Sequence, residues 1–437
     1  MTENLMVKTA GLSSPMSCMN VVEKILCRVS GKSRVEPGEF IRARVDKVMF
    51  HDLTGPLTVK AFREIGASKV WDPDRVIVIF DHLVPANTER ASLNQKTIRE
   101  FVGEQGIKAF YDIGRGGICH QVMVEKGHAQ PGELIVGADS HTCTYGAIGA
   151  FSTGMGATDV AAILATGETW LRVPEVVCMN VEGELGDMVT PKDVILSIIG
   201  SVTVSGAVYK AVVFRGPTVE SMSIAGRMTM CNMAVEMGAK TGIVEPDEVT
   251  RRYFESRGLP FKPGFRSDPD ASFEDTYDFD FSSLEPQVAC PSSVDNVKPV
   301  SEVEGVPVDQ AYIGSCTNGR LEDLRIAAKI VKGRRVKPGV RALVVPASQE
   351  VYRAALREGL IDIFVEAGVL VCNPTCGACI GAHMGVLAEG ETCIASINRN
   401  FVGRMGSTKA KVYLASPATV MASAVEGRIT DPRRLVS

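Results

Sequence analysis

The chain repeatedly runs from a short apolar stretch into a loop bearing glycine, aspartate or histidine, and then into a helical pattern. "VIVIF" (76–80) ends directly at "DHLVPANT", and "AFYDIG" and "ELIVGADSHT" repeat the arrangement. Short apolar runs bounded by turn residues and alternating with helices predict buried strands in α/β layers. In such sheets ligands sit at the carboxyl ends of strands. Asp and His fall repeatedly at those ends here.

The same rhythm sets the expected elements. Thr158 or Asp159 can cap a helix whose apolar residues run on to Leu171. "PEVVCMNVEGEL" reads as a strand with Cys178 buried in it. "TPKDVILSIIGSV" reads as a helix with a Thr cap and Pro in its first turn. "TMCNMAVEMGAKTGIV" reads as a further helix ending in Gly. Residues 260–300 are rich in Pro, Asp and Ser and are expected to form a surface linker with little regular structure. Beyond it come a strand and loop in "VDQAYIGSC", a helix in "RLEDLRIAAKIVKG", a strand in "VRALVVPAS", a helix opened by Ser348, and the strand "GVLVC".

That last strand runs into "VCNPTCGACIGAHMG" (371–385), with Cys372, Cys376 and Cys379 spaced C-x3-C-x2-C. Three readings compete. Radical enzymes that cleave S-adenosylmethionine hold a cluster with this spacing in one loop. A zinc site needs a fourth ligand, and His383 stands four residues after Cys379. The third reading takes Cys376 and Cys379 from their Pro/Gly loop together with Cys316 from "YIGSCTNGR", and leaves Cys372 as a buried strand-end residue. Three thiolates leave one iron of a cluster open, which favours Lewis-acid chemistry over electron transfer. Spacing alone does not choose.

Bulk properties narrow the field. The 437 residues carry a net charge of −4, which gives no bulk attraction to nucleic acid or an anionic membrane. No apolar run approaches the roughly 20 residues of a membrane span, and the N-terminus lacks a secretory pattern. Twelve scattered cysteines in a long chain suggest a reducing, cytoplasmic setting rather than a disulfide framework.

Four stretches in order, "GADSHTCTYGAIGAFSTGMGATDVA", "IGSCTNGRLEDL", "NPTCGACIGAHMG" and "NRNFVGRMGS", resemble the aconitase superfamily. The resemblance runs from "DHL" near 81 to "GR" at 404. It is closest to the large subunits of the two-subunit isopropylmalate dehydratase and homoaconitase branch. It implies three α/β/α domains around a central iron–sulfur cleft, expected at 1–173, 174–290 and 291–437, without the mobile fourth, swivelling domain.

By position, the resemblance implies that Cys316, Cys376 and Cys379 hold one [4Fe-4S] cluster and that Cys372 does not. Asp81 and His82 would handle the proton of a departing hydroxyl. His120 and His141 would be active-site histidines, with Asp139 beside the second. Asn232 and Glu236 would reach the open side of the cluster. Ser140, Asn398, Arg399 and Arg404 would hold substrate carboxylates and cluster sulfurs. The chemistry needs these types: an oriented imidazole protonates a leaving hydroxide, and arginine grips carboxylates by paired hydrogen bonds.

The expected reaction is isomerisation of 2-isopropylmalate to 3-isopropylmalate through isopropylmaleate, in leucine biosynthesis. Alternatives are other hydro-lyases of the branch, acting on homocitrate/homoaconitate, citraconate/methylmalate or dimethylmalate. A cluster-free RNA-binding role is weighed down by the charge and by the presence of all three cysteines. The family's base is a serine in a Gly-Ser-Ser-Arg type motif. "GSTKAK" (406–411) and "CPSSVD" (290–295) do not match it. The chain is therefore expected to be incomplete alone, with a separate small subunit supplying the serine and much of the specificity. His51 reads equally as structural or as lining a substrate channel. His128 reads as a solvated turn residue, and His383 as near the site without a clear role.

Overall fold

Apolar runs too short for helices become parallel strands here because helices cover both their faces, so β-branched residues can be buried on either side. The computed structural model describes residues 6–7 and 18–436. Three large sheets result, beside a two-stranded antiparallel ribbon of Phe40–Arg44 and Glu168–Arg172. The first orders its strands Ala109–Tyr111, Val76–Ile79, Lys47–His51, Leu134–Gly137 and Phe151–Gly154, all parallel. The second runs Met6–Val7, Asp275–Asp280, Val176–Glu182, Ala211–Arg215 and Thr241–Val244, parallel except at the first pair. The third has seven strands. Its parallel part runs Lys411–Ala415, Thr392–Ala395, Gln310–Ile313, Arg341–Val344 and Leu370–Val371. Gln287–Ala289 and Val297–Pro299 extend it antiparallel.

One continuous apolar core reaches all three sheets, from Met49 and Ile77 through Met179 and Phe214 to Tyr312 and Leu343. Two glycines show how closely the layers meet. A β-carbon on Gly146 would lie 1.7 Å from the Gly242 carbonyl oxygen, and one on Gly117 would lie 2.5 Å from that of Ala347. The first contact joins the first and second sheets, and the second joins the first and third. Among the described residues no helix is long and apolar enough to cross a membrane.

Three expected elements differ. The helix after Gly156 ends at Thr166, where Gly167 adopts the left-handed cap (φ 73°), and Leu171 belongs to the strand Glu168–Arg172. Gly156, rather than Thr158 or Asp159, is its N-cap. The expected helix around "CNMAVE" is a helix, Ile224–Met233, followed by a tighter 3-10 turn, Ala234–Met237, and "TGIV" is a strand. Residues 260–300 are not a mere linker. Asp275–Asp280 pairs on both sides within the second sheet, its side chains half-buried, so its polar composition hides its strand pattern.

Arg227 locks the second sheet's helices. It has no exposed surface, its guanidinium meets both Asp247 carboxylate oxygens at 2.8 and 2.6 Å, and it donates to the Glu220 carbonyl at 2.9 Å. Asp247 also caps the helix Glu248–Ser256. Asp247→Ala therefore strands a buried cation and removes a cap, and should cost about 3–5 kcal/mol. Arg227→Met leaves only a partly solvated carboxylate and should cost less. Thermal unfolding of the two variants checks this order.

Candidate active site

The first sheet brings its carboxyl-end loops to one place. Asp52 sets the geometry: its Oδ1 accepts the amides of Asp81 and His82, each at 2.9 Å, and its Oδ2 that of Leu83 at 2.8 Å. Asp81 accepts from His82 Nδ1 at 2.7 Å and from the Cys119 amide at 2.7 Å. The other nitrogen of His82 faces Asp139 Oδ2 at 3.7 Å. His51 stacks on His82 with ring centroids 3.9 Å apart and reaches the same Asp139 oxygen at 3.4 Å. His120 Nε2 meets Asp139 Oδ1 at 2.8 Å, and its Nδ1 meets the Tyr145 hydroxyl at 3.0 Å. The His141 amide donates to Asp139 at 2.7 Å. One carboxylate thus serves four histidines.

Their charges follow from these contacts. Burial works against an ionised Asp139, yet the histidines, His120 foremost, hold its carboxyl well below the usual range. Burial would also neutralise His82, but Asp81 beside it overrides this and raises the imidazole to about 9. His120 goes the other way, because burial outweighs Asp139 and lowers it. For His141, burial is opposed by hydrogen bonds with Asp139 and Glu236, which raise it.

The third sheet presents the cysteines. After Gln310–Ile313 the chain turns sharply, with Ser315 left-handed (φ 73°) and its hydroxyl accepting the Thr317 amide at 3.0 Å. Arg320 clamps the turn by donating to the carbonyls of Cys316 at 2.6 Å and Thr317 at 2.5 Å. Asn232 and Asn398 donate to Cys316 Sγ at 3.2 and 3.4 Å. Arg404 donates to Cys379 Sγ at 3.4 Å, and Asn398 Oδ1 lies 3.9 Å from the same sulfur. The Cys376 amide and the Thr375 hydroxyl both donate to the Asp81 carbonyl at 2.7 Å. Cys316, buried, is pushed up to about 12. The Cys376 thiol bonds to Cys379; this bond first, then Arg404, holds Cys379 well below the usual thiol range, and Cys376 rises in turn.

Cys372 stands apart. Its amide donates to Val344 at 2.9 Å, continuing the strand ladder, and its thiol makes no hydrogen bond among the described residues. His383 turns Nε2 to the Pro85 carbonyl at 3.0 Å, and its buried Nδ1 lacks a partner. Among the described residues neither His383 nor the cysteines fall in a group close enough to share a single ion, which weighs against a zinc site.

The break in helix geometry after Met233 directs Asn232 and Glu236 differently. Asn232 bonds Thr144, Thr317 and Cys316. Glu236 accepts from His141 Nε2 at 2.7 Å and Arg399 Nε at 2.9 Å. Burial raises its carboxyl, but these partners outweigh that and hold it low. Arg399 also donates to the Ser140 hydroxyl at 3.1 Å.

Sequence reasoning missed Asp52 and Lys192 and left His51 undecided. The "HD" of "FHDLTG" mirrors the "DH" of "FDHL" at a neighbouring strand end, and that signal could have found both residues of the pair. Lys192 has no exposed surface and donates to the carbonyls of Ser396 at 3.2 Å and Ile397 at 2.5 Å, just before Asn398. Nothing in "TPKDV" distinguishes it from a solvated helix lysine. His128 is not solvated as expected: it is half-buried, paired with the Tyr111 hydroxyl at 2.6 Å, and lowered by burial to about 4.

Three buried thiols, amide and guanidinium donors aimed at their sulfurs, and a buried Arg404 Nε without a partner suit an anionic group held by thiolates. Beside them lies a set of carboxylate-oriented imidazoles of split charge. Together these suit proton chemistry beside a group held by the cysteines.

The model of the aconitase family (aconitate hydratase) matches residues 23–305 and 296–427, and the chain belongs to that family. It is a hydro-lyase of the large-subunit type. It is 58% identical to a probable 3-isopropylmalate dehydratase large subunit of Methanothermobacter thermautotrophicus, over 95% of this chain and 99% of the relative. It is 54% identical to 3-isopropylmalate dehydratase large subunit 1 of Methanopyrus kandleri, over 94% and 98%. It is 55% identical to a probable methanogen homoaconitase large subunit of M. thermautotrophicus, over 95% and 98%. The family implies an iron–sulfur cluster.

The raised His82 makes a pH prediction. A folded-state value near 9 against an unfolded 6.5 contributes about 3 kcal/mol below pH 6.5, lost as pH climbs through 9. NMR titration should place the His82 midpoint near 9, and Asp81→Asn should drop it below 6.5. A wild-type midpoint near 6.5 would contradict the pairing.

Proposed function

We propose that this chain is the large subunit of a 3-isopropylmalate dehydratase, isomerising 2-isopropylmalate and 3-isopropylmalate through isopropylmaleate. In this reading Cys316, Cys376 and Cys379 hold one [4Fe-4S] cluster. The observation that carries it is the direct tie between the cysteine loop and the proton-handling loop, through the Cys376 amide and the Asp81 carbonyl.

When bound, such a cluster supplies a Lewis-acidic iron that eases loss of hydroxide. The protein's own groups do the rest. His82 stays protonated near neutral pH because Asp81 lies 2.7 Å from Nδ1, so its Nε2 proton is available to a departing hydroxyl. Asp52 fixes the loop that aims it. Arg399 and Arg404 take substrate carboxylates. Arg399 is already oriented by Glu236, and Ser140 lies within its reach. Burial holds His120 toward its neutral form, while bonds to Asp139 and Glu236 favour the proton on His141.

The base for the adjacent carbon comes from a separate small subunit. This is supported by near-full-length coverage of relatives that are themselves named large subunits. A second reading, homoaconitase, has its own support in the relative so named at 55% identity.

Anaerobically prepared chain should show an iron–sulfur absorption band. Cys316→Ala or Cys376→Ala should abolish it and Cys372→Ala should spare it; equal loss with Cys372→Ala would overturn the ligand set. The chain should be nearly inactive until a small subunit is added, and full activity alone would remove the two-subunit reading. With both subunits, kcat/KM for isopropylmalate against homocitrate decides between the two substrates.

A further inference from the structure

Behind the cysteine turn lies a second cleft, of about 500 Å³, where elements of all three sheets meet. Its floor is buried: Gln121 and Glu125 from the helix Cys119–Glu125, Met228 from Ile224–Met233, and Arg320. This size falls in the range of small-molecule sites. It is a different place from the candidate active site. The helix Cys119–Glu125 turns His120 to Asp139 while Gln121 and Glu125 line the cleft. Arg320 stands between the two, lining the cleft and gripping the Cys316 carbonyl.

The charges of the cleft do not cancel. Its acids are engaged: Glu350 pairs with Lys126 and Arg257, and Glu322 accepts from Ser223 at 2.7 Å. Glu125 accepts from Ser348 at 2.7 Å and Gln121 at 3.1 Å. Arg325 pairs with Glu358. Arg353 and Arg357, four apart on the helix Gln349–Arg357 and both lining the cleft, make no ion pair or hydrogen bond among the described residues. Tyr253 lines the same space, and its hydroxyl likewise makes no hydrogen bond among those residues. Residues four apart on a helix are neighbours on one face, and two guanidiniums so placed can share the oxygens of one anion. Ile224 and Met228, from the helix Ile224–Met233, give the cleft an apolar part.

We propose that this cleft is a binding site for a small organic anion, a carboxylate or phosphate ester carrying an apolar body. Arg353 and Arg357 take the anionic group, and the Ile224–Met228 wall takes the body. A ligand seated there touches the outer side of the elements whose inner ends carry His120 and Cys316. The site is independent of which substrate the enzyme uses.

Calorimetry on the full chain with phenyl phosphate and with 3-phenylpropionate tests it. At least one should bind, and the Arg353→Gln, Arg357→Gln double variant should weaken it at least tenfold. Both positions are exposed, and Gln keeps helix propensity, so the variant should fold. Arg399→Gln, in the candidate active site, should leave the affinity unchanged. Preference for the first probe assigns a phosphate ligand, and preference for the second a carboxylate. No binding of either probe at millimolar concentration, equal affinity in the double variant, or loss in Arg399→Gln would each overturn the proposal.

Discussion

Asp139 places one ionised carboxylate among four imidazoles, and the rest of the site answers to that charge. Two of the rings meet its oxygens from strand-end loops of the same sheet, His51 at 3.4 Å and His82 at 3.7 Å. A buried anion is tolerated only where donors surround it. The result is a split of protonation states. His82, with its own carboxylate, holds its proton, while His120, more dependent on the shared one, gives it up. Groups of one type thereby acquire different tasks from environment alone. Glu236, His141 and Arg399 extend the same logic to the second and third sheets.

The cysteine side is built on a different principle. Its thiols are fixed by backbone turns, and Asn232, Asn398 and Arg404 aim donors at Cys316 and Cys379, where they would balance negative charge on the sulfurs. Asn398 alone touches two of the three cysteines. Lys192 secures the turn that presents Asn398 from behind, through bonds to two carbonyls, which places the second sheet in the support of the third.

Much of this was legible in the sequence, for a reason particular to parallel α/β layers. Strand, loop and helix occur in chain order, so a His or Asp just after an apolar run is already placed at the functional edge. That placement drew attention to Asp81, His82, Asp139 and Cys316, and the resemblance to the aconitase superfamily then gave them their expected roles. Lys192 was invisible because its burial depends on a loop some two hundred residues away. The strand Asp275–Asp280 was hidden because its neighbours, not its composition, make it a strand. His128 looked solvated because the Tyr111 hydroxyl that covers it comes from a strand earlier in the chain.

The Asp81 carbonyl accepts both the Cys376 amide and the Thr375 hydroxyl, while the Asp81 carboxylate holds His82. A single residue is therefore a rivet between two layers. When the layers breathe against each other, His82 travels with the cysteine loop instead of sliding past it. Its spacing from whatever the cysteines carry is set by a few covalent bonds and two hydrogen bonds. Strain that shifts one layer is therefore passed to the other through Asp81 rather than taken up as a change in the distance between His82 and the cysteines.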